Sequence, residues 1–215
     1  MNKPIVTVAV SSLMIWGIAT IVAPPVSNVQ PLWLARQHAL HLSGLMAIAF
    51  MSLAMLSSAR PTWLQNLAGG AGPLHLIHRR AGIISTLLAL AHWLTEKSGG
   101  LIRFMVGRDG KPANEKLEGL AGAFRHAAKD AGEWALWLVL ILVVITLWRV
   151  MPHQRWRLLH RTMPLLYAAL VFHALLLAPR GWWQQGSALF LLAFAACGLY
   201  GAVRSLQARL TLGNV

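Results

Sequence analysis

Apolar residues run through this chain in long blocks, and the polar and turn-forming residues gather between them. Six apolar stretches can be marked, roughly Ile5 to Ala23, Gln37 to Ala59, His75 to Thr95, Glu133 to Val150, Leu158 to Ala178 and Gln184 to Val203. Most approach ~20 residues, the length at which a helix crosses the hydrocarbon core of a bilayer. Breakers separate them: Pro24-Pro25, Arg60-Pro61, Gly69-Gly70, Ser98-Gly99-Gly100, Met151-Pro152 and Pro179-Arg180-Gly181. The pattern predicts an all-α integral membrane bundle of about six transmembrane helices, a single domain over residues 1–215. The first stretch follows Lys3 as a signal peptide would, but its length and the lack of a small-x-small cleavage site predict a retained span.

Composition agrees with the pattern. The chain is 57% hydrophobic and only 12% charged, with a mean hydropathy of +0.57, far from a soluble domain. Of its tryptophans, Trp33, Trp63, Trp93, Trp134, Trp148, Trp156, Trp182 and Trp183 fall near the ends of stretches, where amphipathic rings favour the membrane interface. A formal charge of +13 suggests nucleic acid in a soluble protein. In a membrane chain the same charge sets topology and meets anionic lipid headgroups, so membrane lipid is the expected partner and nucleic acid is not. The lone Cys197 excludes a disulfide framework and a cysteine metal site. The Gly69-Gly70-Ala71-Gly72-Pro73 run follows no strand, so it reads as a turn and not as a dinucleotide site.

The short loops orient the bundle. With the N-terminus in the cytoplasm, the inner loops hold Lys3, then Arg60, Arg79 and Arg80, then Arg149, Arg155, Arg157 and Arg161, then Arg204 and Arg209. The short outer loops hold Arg36 and Arg180. The expected topology is therefore N-in and C-in, in a cell membrane such as the bacterial inner membrane. A long outer loop, residues 96–132, is the exception; its seven basic residues are diluted by acids. Within it, Glu115 to Asp130 carries Leu117, Leu120, Ala121 and Phe124 at helical spacing and reads as an amphipathic helix on the membrane surface.

Against this apolar background four histidines stand out. His78 and His92 are fourteen residues apart in the third stretch, and His160 and His173 thirteen apart in the fifth. At 1.5 Å per residue each spacing covers roughly 20 Å, most of a ~30 Å core. Stretches three and five run parallel, so His78 pairs with His160 at the inner level and His92 with His173 at the outer. One histidine in an apolar helix is more often a hydrogen-bonded packing residue than a ligand. Four at matched depths are costly and point to function. Two imidazoles on opposite faces suit haem iron, whereas zinc favours ligands clustered at i, i+3 or i, i+4. A proton relay would usually carry carboxylates, and the cores of these stretches have none.

The expectation is two haem b groups with His78, His92, His160 and His173 as axial ligands, attached non-covalently because no Cys-x-x-Cys-His is present. Helical phase suits the first pair, since fourteen residues bring His92 within about 40° of His78. Thirteen residues leave His173 about 140° from His160, so Pro164 is expected to kink or re-phase that helix. Arg79, Arg80, Arg157 and Arg161 are candidates to hold haem propionates at the inner level, beside the plainer reading of positive-inside charge. Lys97, Arg103 and Arg180 are weaker candidates at the outer level. His38 and His41 lie near the outer surface as capping or headgroup contacts, or as neighbours of the outer haem. His75 is an alternative inner ligand, and His126 and His153 are loop residues. A non-redox transporter or scaffold with structural histidines is the reading of another class, and it would need no matched pairs.

His78-Arg79-Arg80-Ala81-Gly82 with His92, and Trp156-Arg157-Leu158-Leu159-His160-Arg161 with His173, resemble the ferric reductase-like transmembrane family over about Gln37 to Arg204. That family includes ferric-chelate reductases and the membrane part of NADPH oxidases. The resemblance implies six helices, two b-type haems fed by a cytoplasmic flavin (FAD or FMN) or NAD(P)H-dependent flavoprotein reductase, and an acceptor outside, periplasmic or extracellular. Members with their own reductase domain continue for some two hundred residues past the bundle, so here the flavin is expected on a partner or a domain beyond Val215. The compact form is also similar to the haem-binding membrane subunit of the periplasmic methionine sulfoxide reductase system, which shares the His41-x-x-Gly44 start of the second stretch but not the long loop.

Overall fold

The computed structural model describes residues 3–23, 29–112, 118–148 and 152–212. The sequence expectations on Pro24-Pro25, on Glu115 and Leu117, and on Arg149, Val150 and Met151 lie outside them. The described residues form helices and turns without a strand: α1 (Lys3–Val22), α2 (Pro31–Ser58), α3 (Thr62–Ala68), α4 (Ala71–Lys97), α5 (Gly99–Val106), α6 (Gly119–Trp148), α7 (His153–His160), α8 (Met163–Leu177), α9 (Arg180–Gln184) and α10 (Ala188–Leu212).

Most long helices are apolar on every side, the mark of a helix that packs on one face and meets lipid on the other. In α1 the buried residues Ser12, Ile15 and Ala19 recur at helical spacing, while Leu13, Met14, Ile18 and Ile21 face outward. Four segments are long and apolar enough to cross a membrane: Lys3–Val22, Pro31–Ser58, Gln154–Leu177 and Ala188–Ala208. At 27 and 30 residues, α4 and α6 are also long, and they carry more polar side chains.

Neighbouring helices α2, α4, α6 and α8 pack in a ring, which sets α4 and α8 diagonally across its centre. Outside the ring, α1 packs on α2, and α10 on α2 and α8. The buried core gathers Leu45, Ile48, Met51 and Met55 of α2 with Val139, Tyr167, Val171, Leu191 and Ala195. A second cluster joins Phe50, Leu53 and Ala54 to Leu64, Leu74, Ile77 and Ala81. The α2–α10 approach is close enough that a Cβ on Gly201 would collide with the Met55 carbonyl. Polar ties cross the bundle at Ser52–Tyr167 (2.8 Å) and Ser58–Ser205 (2.7 Å).

Two expectations are corrected and a third takes a definite form. The helix expected on the membrane surface is not separate from the next apolar stretch, because from Gly119 onward it is the first part of α6. Ala121, Ala123, Ala127, Ala128 and Ala131 favour uninterrupted helix there, and the loop before it holds α5. The fifth stretch carries the discontinuity expected at Pro164: α7 and α8 follow one another as one segment, Gln154–Leu177, interrupted at Arg161 and Thr162, which keep right-handed helical dihedrals while Pro164 lies in the first turn of α8. Finally, Trp33 and Trp182 are buried in the protein and not at the lipid boundary, with Trp33 Nε1 donating to the Gly107 carbonyl (3.3 Å).

Candidate functional site

The interruption between α7 and α8 and the unbroken run of α4 bring the four histidines together in two pairs. His78 faces His160 with ring centroids 6.1 Å apart and planes at 84°. His92 faces His173 at 6.3 Å, also at 84°. All four rings are half-buried.

His78, His92 and His173 are each oriented by a backbone carbonyl on a neighbouring helix. His78 Nδ1 meets the Ala54 carbonyl at 2.8 Å, His92 Nδ1 the Leu40 carbonyl at 3.0 Å, and His173 Nδ1 the Ala128 carbonyl at 2.8 Å. A carbonyl only accepts, so Nδ1–H donates in each case and Nε2 keeps its lone pair. Metal-bound histidines are held in the same way, by a hydrogen bond on the nitrogen that does not ligate. His160, the last residue of α7, stacks on the indole of Trp156 at 4.9 Å and 15°.

Two glycines seat the rings of the His92–His173 pair. A Cβ on Gly44 would lie 3.1 Å from two atoms of the His92 ring, and a Cβ on Gly132 would overlap the His173 ring. Sequence reading did not single out Gly132, nor the three carbonyls. A glycine in an apolar helix carries no mark of the ring on the helix opposite.

The end of the bundle that holds His92 and His173 is tied down by polar contacts. Lys97 Nζ lies 3.0 Å from Glu133 Oε1, Lys129 Nζ lies 3.1 Å from Glu96 Oε1, and Trp93 Nε1 donates to Glu133 Oε1 at 3.3 Å. The hydrogen bond that Lys97 donates to the Glu133 carboxylate raises the Lys97 pKa above its ordinary value. Arg36 caps α4 by donating to the carbonyls of Thr95 (3.0 Å) and Glu96 (2.6 Å), which the helix end leaves unpaired. Nearby, a cavity of about 480 Å³ opens between α6 and α8, lined by Ala121, Phe124, Arg125, Phe172 and Leu176. Its walls are apolar apart from Arg125.

Arg79, Arg80, Arg157 and Arg161 are all exposed at the end of the bundle that holds His78 and His160. Of the weaker outer candidates, Lys97 is engaged by Glu133 and Glu96, and Arg103 and Arg180 are exposed. His41 packs edge-on to Trp182 and His38 to Trp16, each at 5.9 Å, so both make contacts inside the bundle. His75 is exposed and stacks on His78 at 6.4 Å, and His126 is exposed. His153 begins α7. Among the described residues no group of three or more histidine, cysteine or acidic side chains gathers at one point.

The fold and this site define a helical, multi-pass membrane protein with two tiers of facing histidines on diagonal helices. The chain belongs to the family of ferric reductase-like transmembrane components, whose profile matches residues 43–171, more than half its length. The match takes in His78, His92 and His160 and ends two residues before His173, so it is narrower at both ends than the stretch from Gln37 to Arg204. No curated protein matches the chain significantly. Membership makes it a membrane-embedded component of electron transfer.

Proposed function

We propose that this chain carries electrons across a membrane through two b-type haems, one held by His78 and His160 and one by His92 and His173. The observation that carries the proposal is the pair of facing imidazoles repeated at two depths. With a metal–nitrogen bond of about 2 Å, two imidazoles on opposite sides of one ion have centroids about 6.3 Å apart. The separations here are 6.1 and 6.3 Å. The Nδ1 hydrogen bonds support the same reading, since they place the proton on Nδ1 and leave Nε2 of His78, His92 and His173 with its lone pair. Haem iron with two imidazole ligands supplies one-electron ferric/ferrous chemistry without an open coordination position.

In this reading α4 and α6 also cross the membrane, which makes six spans with both termini in the cytoplasm. Arg79, Arg80, Arg157 and Arg161 then form a basic inner face. It suits haem propionates and the approach of an anionic flavin or an acidic flavoprotein reductase. The donor is a cytoplasmic flavin or NAD(P)H-dependent flavoprotein, and the acceptor lies outside, at the end of the bundle holding His92 and His173.

Paired substitutions test the assignment. His78→Ala and His160→Ala should each delete the same component of the reduced-minus-oxidised spectrum, and the double variant should lose no more. His92→Ala and His173→Ala should delete the other. Crossed losses, with His78 and His173 behaving as partners, would overturn the pairing.

A further inference from the structure

Lipid accounts for apolar side chains exposed on a helix that crosses the membrane, but α5 has only eight residues and crosses nothing. It still leaves Leu101 63%, Phe104 89% and Met105 63% exposed. At 100° per residue these three fall within an arc of about 100°, one apolar ridge. Ile102 and Val106, one turn apart and half-buried, lie on a second face, and α5 packs on α2 and α4. Arg103 is exposed on the side away from the ridge, about 160° from Leu101. The first turns of α2 set the level of this helix. A Cβ on Gly99 would lie 3.4 Å from the Arg36 guanidinium, Trp33 Nε1 donates to the Gly107 carbonyl (3.3 Å), and the Gln30 N–H donates to the Gly110 carbonyl (3.1 Å). With 28 residues α2 is about 42 Å long, so when its middle fills a ~30 Å hydrocarbon core its first turns stand among the headgroups. Directly after α5 the chain adds Arg108 and Lys111 against Asp109.

We infer that α5 is an interfacial anchor: Leu101, Phe104 and Met105 enter the acyl boundary of the leaflet at the His92–His173 end, and Arg103 and Arg108 stay at the level of anionic headgroups. Lipid is the occupant because the ridge stands at the depth where acyl chains meet headgroups, and because the charge around it is basic. A short helix with one apolar face and cations beside it binds a membrane surface by these two terms together, buried apolar area and attraction to anionic lipid. The inference does not depend on the haems.

The test is spin-label depth in the full chain, reconstituted in vesicles of phosphatidylcholine and phosphatidylglycerol. Cys197→Ser removes the native thiol, and one nitroxide is then attached at Leu101→Cys, Phe104→Cys, Met105→Cys or Arg103→Cys. Power saturation compares collisions with oxygen, which concentrates in lipid, and with a water-soluble nickel chelate. Labels at 101, 104 and 105 should meet oxygen more than nickel, and the label at 103 nickel more than oxygen. If Phe104→Cys does not accumulate, Leu101→Cys and Met105→Cys decide. Vesicles of phosphatidylcholine alone should raise nickel contact along the ridge, and no change there would overturn the headgroup role. Nickel-dominated contact at all four positions would place the ridge in water, open to a protein partner, and would overturn the anchor. Oxygen-dominated contact at 103 as well would mean that α5 is immersed in lipid, which would overturn its interfacial placement.

Discussion

Gly132 faces the His173 ring so closely that no side chain fits between them, and Gly44 stands against His92 with slightly more room. Adding one methyl group at such a place costs roughly 1–3 kcal/mol, because the ring or the helix must move. Gly132→Ala should therefore weaken or abolish the outer spectral component while the inner one persists, as read from reduced-minus-oxidised spectra of membranes. Gly44→Ala should act in the same direction and more mildly. An unchanged outer component in Gly132→Ala would mean that His173 does not need its present seat. The histidines themselves were legible in the sequence, because an ionisable ring inside an apolar stretch must be explained. Their supports were not. A carbonyl contributed by Ala54 or Ala128 has no sequence signature, and a glycine becomes meaningful only when the partner helix is placed.

At the scale of helices, the existence of the long elements was legible and several of their ends were not. By their charge Lys129 and Asp130 read as the end of a surface helix in the outer loop, and Glu133 as the start of a separate stretch. Glu133 and Lys129 instead pair with Lys97 and Glu96 of α4, so the charges join two helices at the outer end and α6 continues beneath them. Likewise Arg36 lies inside α2, where it caps α4. The 140° phase error between His160 and His173 identified a real discontinuity. Its form is a local interruption at Arg161-Thr162, where Pro164 removes the N–H that would bond the His160 carbonyl while the backbone stays right-handed helical. Pro164→Ala restores an N–H that can bond the His160 carbonyl and lets α7 run into α8. The inner spectral component should then weaken, with the outer one retained. An inner component of full size would show that packing against α6, rather than the proline, holds the break.

For the whole molecule, the pattern of apolar blocks was enough to read an all-helical membrane bundle. The diagonal placement of α4 and α8 required the packing of α2 and α6 between them. That placement gives the protein a direction. The end bearing His78 and His160 is rich in exposed arginine, and at the opposite end Lys97 pairs with Glu133 and Lys129 with Glu96. In inside-out vesicles, where the cytoplasmic face is outward, an added flavoprotein donor should reduce the inner haem before the outer one. Right-side-out vesicles should respond poorly to the same impermeant donor, and a faster response from them would reverse the assigned direction. The claim beneath all of these is that each histidine pair holds one haem. Pyridine-haemochrome analysis of the purified chain from haem-replete cells tests it most directly. The account predicts a value approaching two non-covalent b-type haems per chain. A colourless protein would contradict it, and a stable value near one would assign one of the pairs to structure alone.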